Sequence, residues 1–260
     1  MRDVSSGSES GDSAIPPIFT YFGQFLDHDI TLEESSATVA DLVEPGLTPL
    51  PVAKIRQELK NTRTATLDLD SVYDPPALRD GPLMVIGDVT PLNGTDAPTL
   101  RPKNKDDKND LKRKGRSPQI EIDREALIGD PRNDENTVVA QLHVAFLRAH
   151  NAIVKQGKSF EQARRLLRQH YQHIVINDFL KTVADSNVVD KILKQGNQVF
   201  DGLAEPFFMP LEFSVAAYRF GHSMVRAAYD FNLNFNRAAI PAPSRRRSTS
   251  CSPSLRFRGN

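Results

Sequence analysis

Phe-Gly-Gln-Phe-Leu-Asp-His-Asp, residues 22–29, places a Gln, two Asp and a His among Tyr21, Phe22, Phe25, Leu26 and Ile30. Burying polar groups among apolar ones is costly unless each finds a partner. That partner can be a metal, a cofactor or a reacting oxygen. A helix over 18–31 sets Gln24 and His28 four residues apart, on one face. Asp27 and Asp29 then point to either side of that face. One short helix thus offers a proton-handling imidazole, a hydrogen-bonding amide and two carboxylates with separate tasks.

Three later stretches carry comparable chemistry. Gly-Asp-Pro-Arg-Asn-Asp-Glu-Asn, residues 129–136, stands directly before the strongest helical periodicity of the chain. There Val138, Leu142, Ala145, Phe146, Ala149 and Ile153 recur at three and four, which predicts a helix over about 133–156. Asp134 and Glu135 fall in its predicted first turn, where the helix dipole favours acids, and Gly157 follows as a stop. A helix start leaves Arg132 unexplained. Thr-Ala-Thr-Leu-Asp-Leu-Asp, residues 64–70, alternates oxygen-bearing side chains, the donor type of a hard cation. Glu-Phe-Ser-Val-Ala-Ala-Tyr-Arg-Phe-Gly-His-Ser-Met-Val, residues 212–225, carries His222 with Arg219 three residues earlier, inside a helix predicted over about 210–226.

A further helix is predicted over about 159–184, capped by Ser159, with Phe160, Ala163, Leu166, Leu167, His170 and Ile174 inward. Strand signals are few: Leu83–Val89, Gln119–Ile122 and a pair near Leu233. The fold class is mainly α with long connections. Residues 101–116 hold eight Lys/Arg and three Asp and read as a solvated loop. Residues 1–14 are Ser/Gly/Asp-rich, and residues 237–260 hold six Arg and no acid; both ends are expected to be disordered. The chain has 33 basic and 33 acidic residues, so its overall charge gives no case for a nucleic-acid or anionic-membrane partner. No apolar run approaches the roughly 18 residues of a membrane span, and residues 1–13 lack the apolar core of a signal peptide. A lone Cys251 excludes an internal disulfide framework. The expected setting is cytoplasmic, or secreted as part of a longer precursor.

The octapeptide resembles the distal-histidine segment of the haem peroxidases of the animal-peroxidase (peroxidase–cyclooxygenase) superfamily, and the three later stretches match in the family's order. The resemblance covers about residues 15–236 and points to a bacterial or fungal type of member. It implies an animal-type haem peroxidase fold, with haem b between a distal and a proximal helix and few short strands. It implies a haem-dependent peroxidase that reduces hydrogen peroxide and oxidises a small donor. In that reading His28 is the distal base, Gln24 orients peroxide, and Arg132 stabilises the separating charge. His222 ligates the haem iron, Arg219 pairs with a propionate, and Asp27 and Glu135 form ester links to the haem. Calcium is held by Asp29, Thr64, Thr66, Asp68 and Asp70, which ties the cation to the distal helix. His143 and His150 read as structural.

Some members carry a Met, linked to haem, where this chain has Asn136. Bromide, iodide, thiocyanate or phenols are therefore expected as donors in preference to chloride. Only 38 residues follow His222, and no counterpart of the family's Asn partner to the proximal imidazole can be assigned, so the domain reads as C-terminally truncated. Two alternatives stand beside the peroxidase. A fatty-acid haem dioxygenase needs a radical-forming Tyr three residues before the proximal His, where this chain has Arg219. A non-catalytic remnant would have lost haem through truncation.

Overall fold

The computed structural model describes residues 13–32, 51, 53, 61–64, 66–88, 108–114, 125–198, 209–226 and 229. The expected strands at 119–122 and near 233, the tail 237–260 and residues 1–12 lie outside them.

The described residues are mainly helical, with one two-stranded antiparallel ribbon, β1 (Arg79–Asp80) and β2 (Leu83–Met84). Of the expected Leu83–Val89 strand, residues 83–88 are described, and among them strand structure consists of β2 and a bridge from Gly87 to Asp110. Helix α1 (Ile18–Ile30) runs as the spacing predicts and buries Tyr21, Phe25 and Leu26. Helix α2 (Asp70–Tyr73) is a single turn.

The long periodic helix starts later than expected. Residues Pro131–Asp134 form a separate 3-10 turn, and α3 runs from Thr137 to Val154. The reason is capping. Asn136 is extended, and its side chain accepts from Val139 N, which fixes the helix start at Thr137. Asp134 and Glu135 therefore precede the helix and do not sit in its first turn. Gly157 ends the segment at φ +84°, a conformation that favours Gly.

Helix α4 (Phe160–Ile174) opens with a full capping box between Ser159 and Gln162. A π-turn (Val175–Phe179) and α5 (Leu180–Val183) continue it. The buried stripe is Ala163, Leu167, Tyr171, Val175 and Phe179, while His170 and Ile174 face solvent, against expectation. Steps of four residues overshoot a 3.6-residue turn. The wider π-turn takes up that drift and keeps Phe179 on the core face. Helix α6 (Ser186–Gln195) follows.

The third expected helix is broken. Leu211–Val215 forms α7, Ala216 leaves helical geometry, and Ala217–Met224 is a 3-10 segment. Phe213 and Phe220 are exposed rather than inward. In a 3-10 helix residues three apart eclipse one another, so Arg219 and His222 still share a face.

The core lies between α1, α3 and α4. Phe25 stacks on Phe146 with ring centroids 4.8 Å apart, and Phe146 meets Tyr171 edge-on. The basic 101–116 stretch is not a free loop over 108–114. Leu111 is buried in the core, and Arg113 bridges Asp110 and Asp134. One apolar side chain in a charged run is enough to pin it when its burial removes a full Leu from water, worth roughly 1.5–3 kcal/mol. Among the described residues no helix is long and apolar enough to cross a membrane.

Candidate functional site

At Gly129 the 129–136 stretch packs directly against the backbone of residues 70–74. A Cβ there would lie 2.8 Å from the Asp74 carbonyl oxygen. The next residue, Asp130, is fully buried and accepts from two guanidinium groups. Arg63 Nη2 lies 2.8 Å away and Arg132 Nη2 2.7 Å away, and Arg132 Nε donates to the other oxygen at 3.0 Å. Burial alone would raise the Asp130 carboxyl, but the hydrogen bonds from Arg132 and Arg63 outweigh it and hold it below the usual range. Arg132 also donates to the carbonyl oxygens of His28 and Thr31, at 3.1 and 2.6 Å. Its cation is thus locked against the C-terminal turn of α1.

His28 is buried, and its Nδ1 lies 2.9 Å from Asn133 Oδ1. Burial lowers its pKa, and the Asn133 hydrogen bond partly opposes that. Asn136 has a second task besides capping α3. Its Nδ2 donates to Gln24 Oε1 at 3.1 Å, which leaves the Gln24 amide N–H groups for other partners. Asp27 accepts from Thr31 Oγ1 through one oxygen and from Arg219 Nη1, at 2.6 Å, through the other.

The 209–229 stretch docks on α1 through several such contacts. Tyr218 donates to Gly23 O at 2.9 Å, and Arg226 donates to Ser13 O and Ile15 O. The Tyr229 ring meets Tyr21 edge-on. Between this stretch and α1 lies a cavity of about 740 Å³. Its lining includes Gln24, Asp27, His28, Arg132, Glu135, Arg219, Gly221 and His222. A cavity of that size suits a small ligand or cofactor. Gly221 has open space where a Cβ would stand, and His222 is exposed at the wall. The seven residues that the family resemblance assigns to the two sides of the cofactor, Gln24, Asp27, His28, Arg132, Glu135, Arg219 and His222, all line this one cavity.

The oxygen-rich loop sits behind α1. Asp29 is fully buried and accepts from Leu69 N and Ser71 N, at 3.2 and 3.3 Å. Leu69 makes this possible by adopting φ +61°, a left-handed conformation that costs a non-Gly residue about 1–2 kcal/mol. Burial raises the Asp29 carboxyl to about 7, against the pull of those two N–H groups. Asp70 is raised to about 6 by burial and then by Asp68. Thr64 Oγ1 contacts Thr66 Oγ1, Asp68 Oδ2 and Asp70 Oδ2 at 2.8, 2.9 and 3.2 Å. Among the described residues no three carboxylate, imidazole or thiol groups converge as a metal cage. The Asp68 Oδ1 and Ser71 Oγ atoms are nonetheless buried without a partner, and every donor in the loop is oxygen.

Sequence reasoning missed three participants: Asp130, Arg63 and Asn133. Asp130 and Asn133 stood in the 129–136 motif but read as helix-start residues. Arg63 carried no local signal, since its partners Asp74 and Asp130 are distant in the chain.

Comparison with known proteins identifies the family of the chain. The family model described as animal haem peroxidase matches residues 49–254. That span takes in the oxygen-rich loop, the Arg132 segment and His222; the octapeptide precedes it. A peroxidase-like protein of Margaritifera margaritifera is 27% identical over 270 aligned positions, covering 88% of this chain and 34% of that protein. A chorion peroxidase of Aedes aegypti is 26% identical over 117 positions, covering 40% of this chain and 15% of that protein. The chain spans about a third of the length of the first of these relatives, and less of the second.

Proposed function

The chain belongs to the animal haem peroxidase family, and from that premise we propose that it is a haem peroxidase whose site is the cavity between α1 and the 217–224 segment. The observation that carries this reading is the meeting of His28 and His222, from segments far apart in sequence, in the lining of one cavity. The residues present fit haem: an imidazole at the wall, a guanidinium three residues before it, and two carboxylates from separate segments. His222 would hold the iron, Arg219 would pair with a propionate, and Asp27 and Glu135 would supply carboxylates for ester links. When bound, haem supplies the electrons that break the O–O bond.

The chain's own residues handle protons and charge. His28 takes a proton from one peroxide oxygen and returns it to the oxygen that leaves as water. Arg132, held in place by Asp130, stabilises negative charge as it develops. Gln24, held by Asn136, offers N–H donors that orient peroxide and water. Asn136 stands where a sulfur link to haem would need Met, which favours bromide, iodide, thiocyanate or phenolic donors over chloride. The oxygen-rich loop fits calcium by donor type and by the unpartnered Asp68 oxygen, with Asp29, Thr64, Thr66, Asp68 and Asp70 as its ligands.

Titration of the purified chain with haemin tests the reading. A Soret band with the signature of a proximal imidazole is expected, together with peroxide-dependent oxidation of iodide or a phenol. His222→Ala is expected to abolish tight uptake. A chain that takes up no haem, or a His222→Ala variant with an unchanged spectrum and activity, removes this proposal.

A further inference from the structure

The His28 imidazole does not end the polar chain that starts at the cavity. Its Nδ1 lies 2.9 Å from Asn133 Oδ1, and Asn133 Nδ2 lies 3.0 Å from Nδ1 of a second histidine, His143. Asn133 and His143 are fully buried. The Asn133 backbone is fixed as well, since its N–H donates to Asp130 O at 3.0 Å within the 3-10 turn. The far nitrogen of His143, Nε2, is buried without a partner, and the edge of the ring lies against Phe25.

A carboxamide has one accepting oxygen and one donating nitrogen, and a neutral imidazole has one donor and one acceptor. An Asn between two imidazoles therefore cannot set them independently. With Oδ1 on His28, that ring must carry its proton on Nδ1, and Nε2 is left bare. With Nδ2 on His143, that ring must accept at Nδ1, so its proton is on Nε2. Reversing the amide would reverse both rings together.

The geometry points to Asn133 as the positioning residue of His28: its Oδ1 takes the Nδ1 proton, which leaves Nε2 as the basic nitrogen of the neutral ring, and its Nδ2 locks His143 in the opposite tautomer. This inference deepens the peroxidase reading and rests on it for its purpose. A base must present a lone pair to the proton it removes. Among the described residues, the contact to Asn133 is the one that selects which ring nitrogen carries the proton. When the ring gains a second proton, the same Oδ1 still accepts from Nδ1, so the relay suits both states of His28. His143 serves no reacting group; it fills the other end of the amide and so sets which way the amide lies.

The test reads tautomers without haem. Long-range proton–nitrogen correlation spectra of the full chain, labelled with 15N-histidine, are recorded at about pH 8, above the ordinary imidazole value of about 6.5. His28 is assigned by its loss in His28→Gln. The expected result is a His28 ring protonated on Nδ1 and a His143 ring protonated on Nε2. In Asn133→Asp the carboxylate can only accept, so His28 keeps its tautomer while His143 switches to Nδ1–H. In Asn133→Leu both constraints go, and the His28 signals move off the Nδ1–H pattern. A neutral wild-type His28 protonated on Nε2 overturns the inference. So does an unchanged His28 in a folded Asn133→Leu, or a His143 that ignores Asn133→Asp. If Asn133→Leu does not fold, the other two spectra still decide. A chain with the expected tautomers and no haem uptake would remove the peroxidase reading while leaving the positioning role of Asn133 standing.

Discussion

Arg219 Nη1 lies 2.6 Å from Asp27 Oδ2, joining α1 to the 217–224 segment across the wall of the cavity. Each side chain was expected to meet the cofactor, and here they meet each other. Asp27 is buried and Arg219 is 38% exposed, so breaking the pair costs less than breaking a fully buried one. Truncating the arginine still strands a buried carboxylate, at a cost of about 1–3 kcal/mol. Arg219→Ala is expected to lower the thermal midpoint of the chain and to speed proteolysis within 209–226. Wild-type proteolysis in that variant would show that the pair does not hold the segment down.

His28→Ala should leave haem bound, because the imidazole assigned to iron is His222. The rate of reaction with hydrogen peroxide, followed by stopped-flow absorption, is expected to fall by about 10²-fold or more. An unchanged rate would take His28 out of the chemistry.

Glu135 and Asp27 are not equally free to react. Glu135 is exposed at the cavity, whereas both Asp27 oxygens are engaged, by Thr31 and by Arg219. After treatment of the haem-loaded chain with peroxide, the link to Glu135 is expected to form first and the link to Asp27 later. Mass spectrometry of the peptides holding residues 27 and 135 follows this directly. Glu135→Gln should leave at most one link, and addition of Asp27→Asn should release all haem to acid solvent. Unmodified peptides from an active preparation would mean that the carboxylates only form hydrogen bonds.

Calcium should stabilise the chain through the oxygen-rich loop. A ligand that binds only the folded state at 100 times its Kd adds about 2.7 kcal/mol. Thermal melts are expected to shift upward with calcium, to fall back with chelator, and to lose this response in Asp68→Ala. Melts indifferent to calcium in wild type would discard the loop as a cation site.

Two buried groups give the cation-free chain opposing pH dependences. His143 is lowered to about 4 by burial, so its neutral form is favoured in the fold. The unfolded chain takes up that proton first, and stability is lost as pH falls from about 6.5 towards 4. At about 1.4 kcal/mol per unit the loss approaches 3 kcal/mol. Asp29 is raised to about 7, so its contribution is lost as pH rises from about 4 to 7. The two partly cancel in wild type. Denaturant unfolding of wild type and His143→Gln separates them: the variant should lack the acid-side loss and keep the decline towards pH 7. Parallel profiles would show that His143 is not buried neutral.

Much of the site was legible because its chemistry is written locally. Gln24 and His28 share a face through helical spacing alone, and Asp27 and Asp29 diverge for the same reason. Ser159 and Gln162 announce a helix start within four residues. Asn136 also carried a local signal, since an Asn before an apolar periodic run is a strong cap, yet the acids before it drew the boundary about four residues early. The break at Ala216 had no such marker: Phe213, Ala216, Ala217 and Phe220 keep helical spacing, but the 217–224 segment is pulled onto α1 by Tyr218 and Arg219 instead.

By itself, then, the sequence determined which residue types stand at which helical positions, because backbone geometry ties neighbours three and four apart to one face. It determined α1 and the capped start of α4 on that basis. Only the tertiary structure decided that Asn133 lies between His28 and His143, that Asp130 gathers Arg63 and Arg132, and that Arg219 turns to Asp27. Arg63 to Asp130, His28 to Asn133 and Arg219 to Asp27 join positions far apart in the chain, and the partner is chosen by which buried charge or amide would otherwise be left unpaired. Periodicity carries no record of that choice.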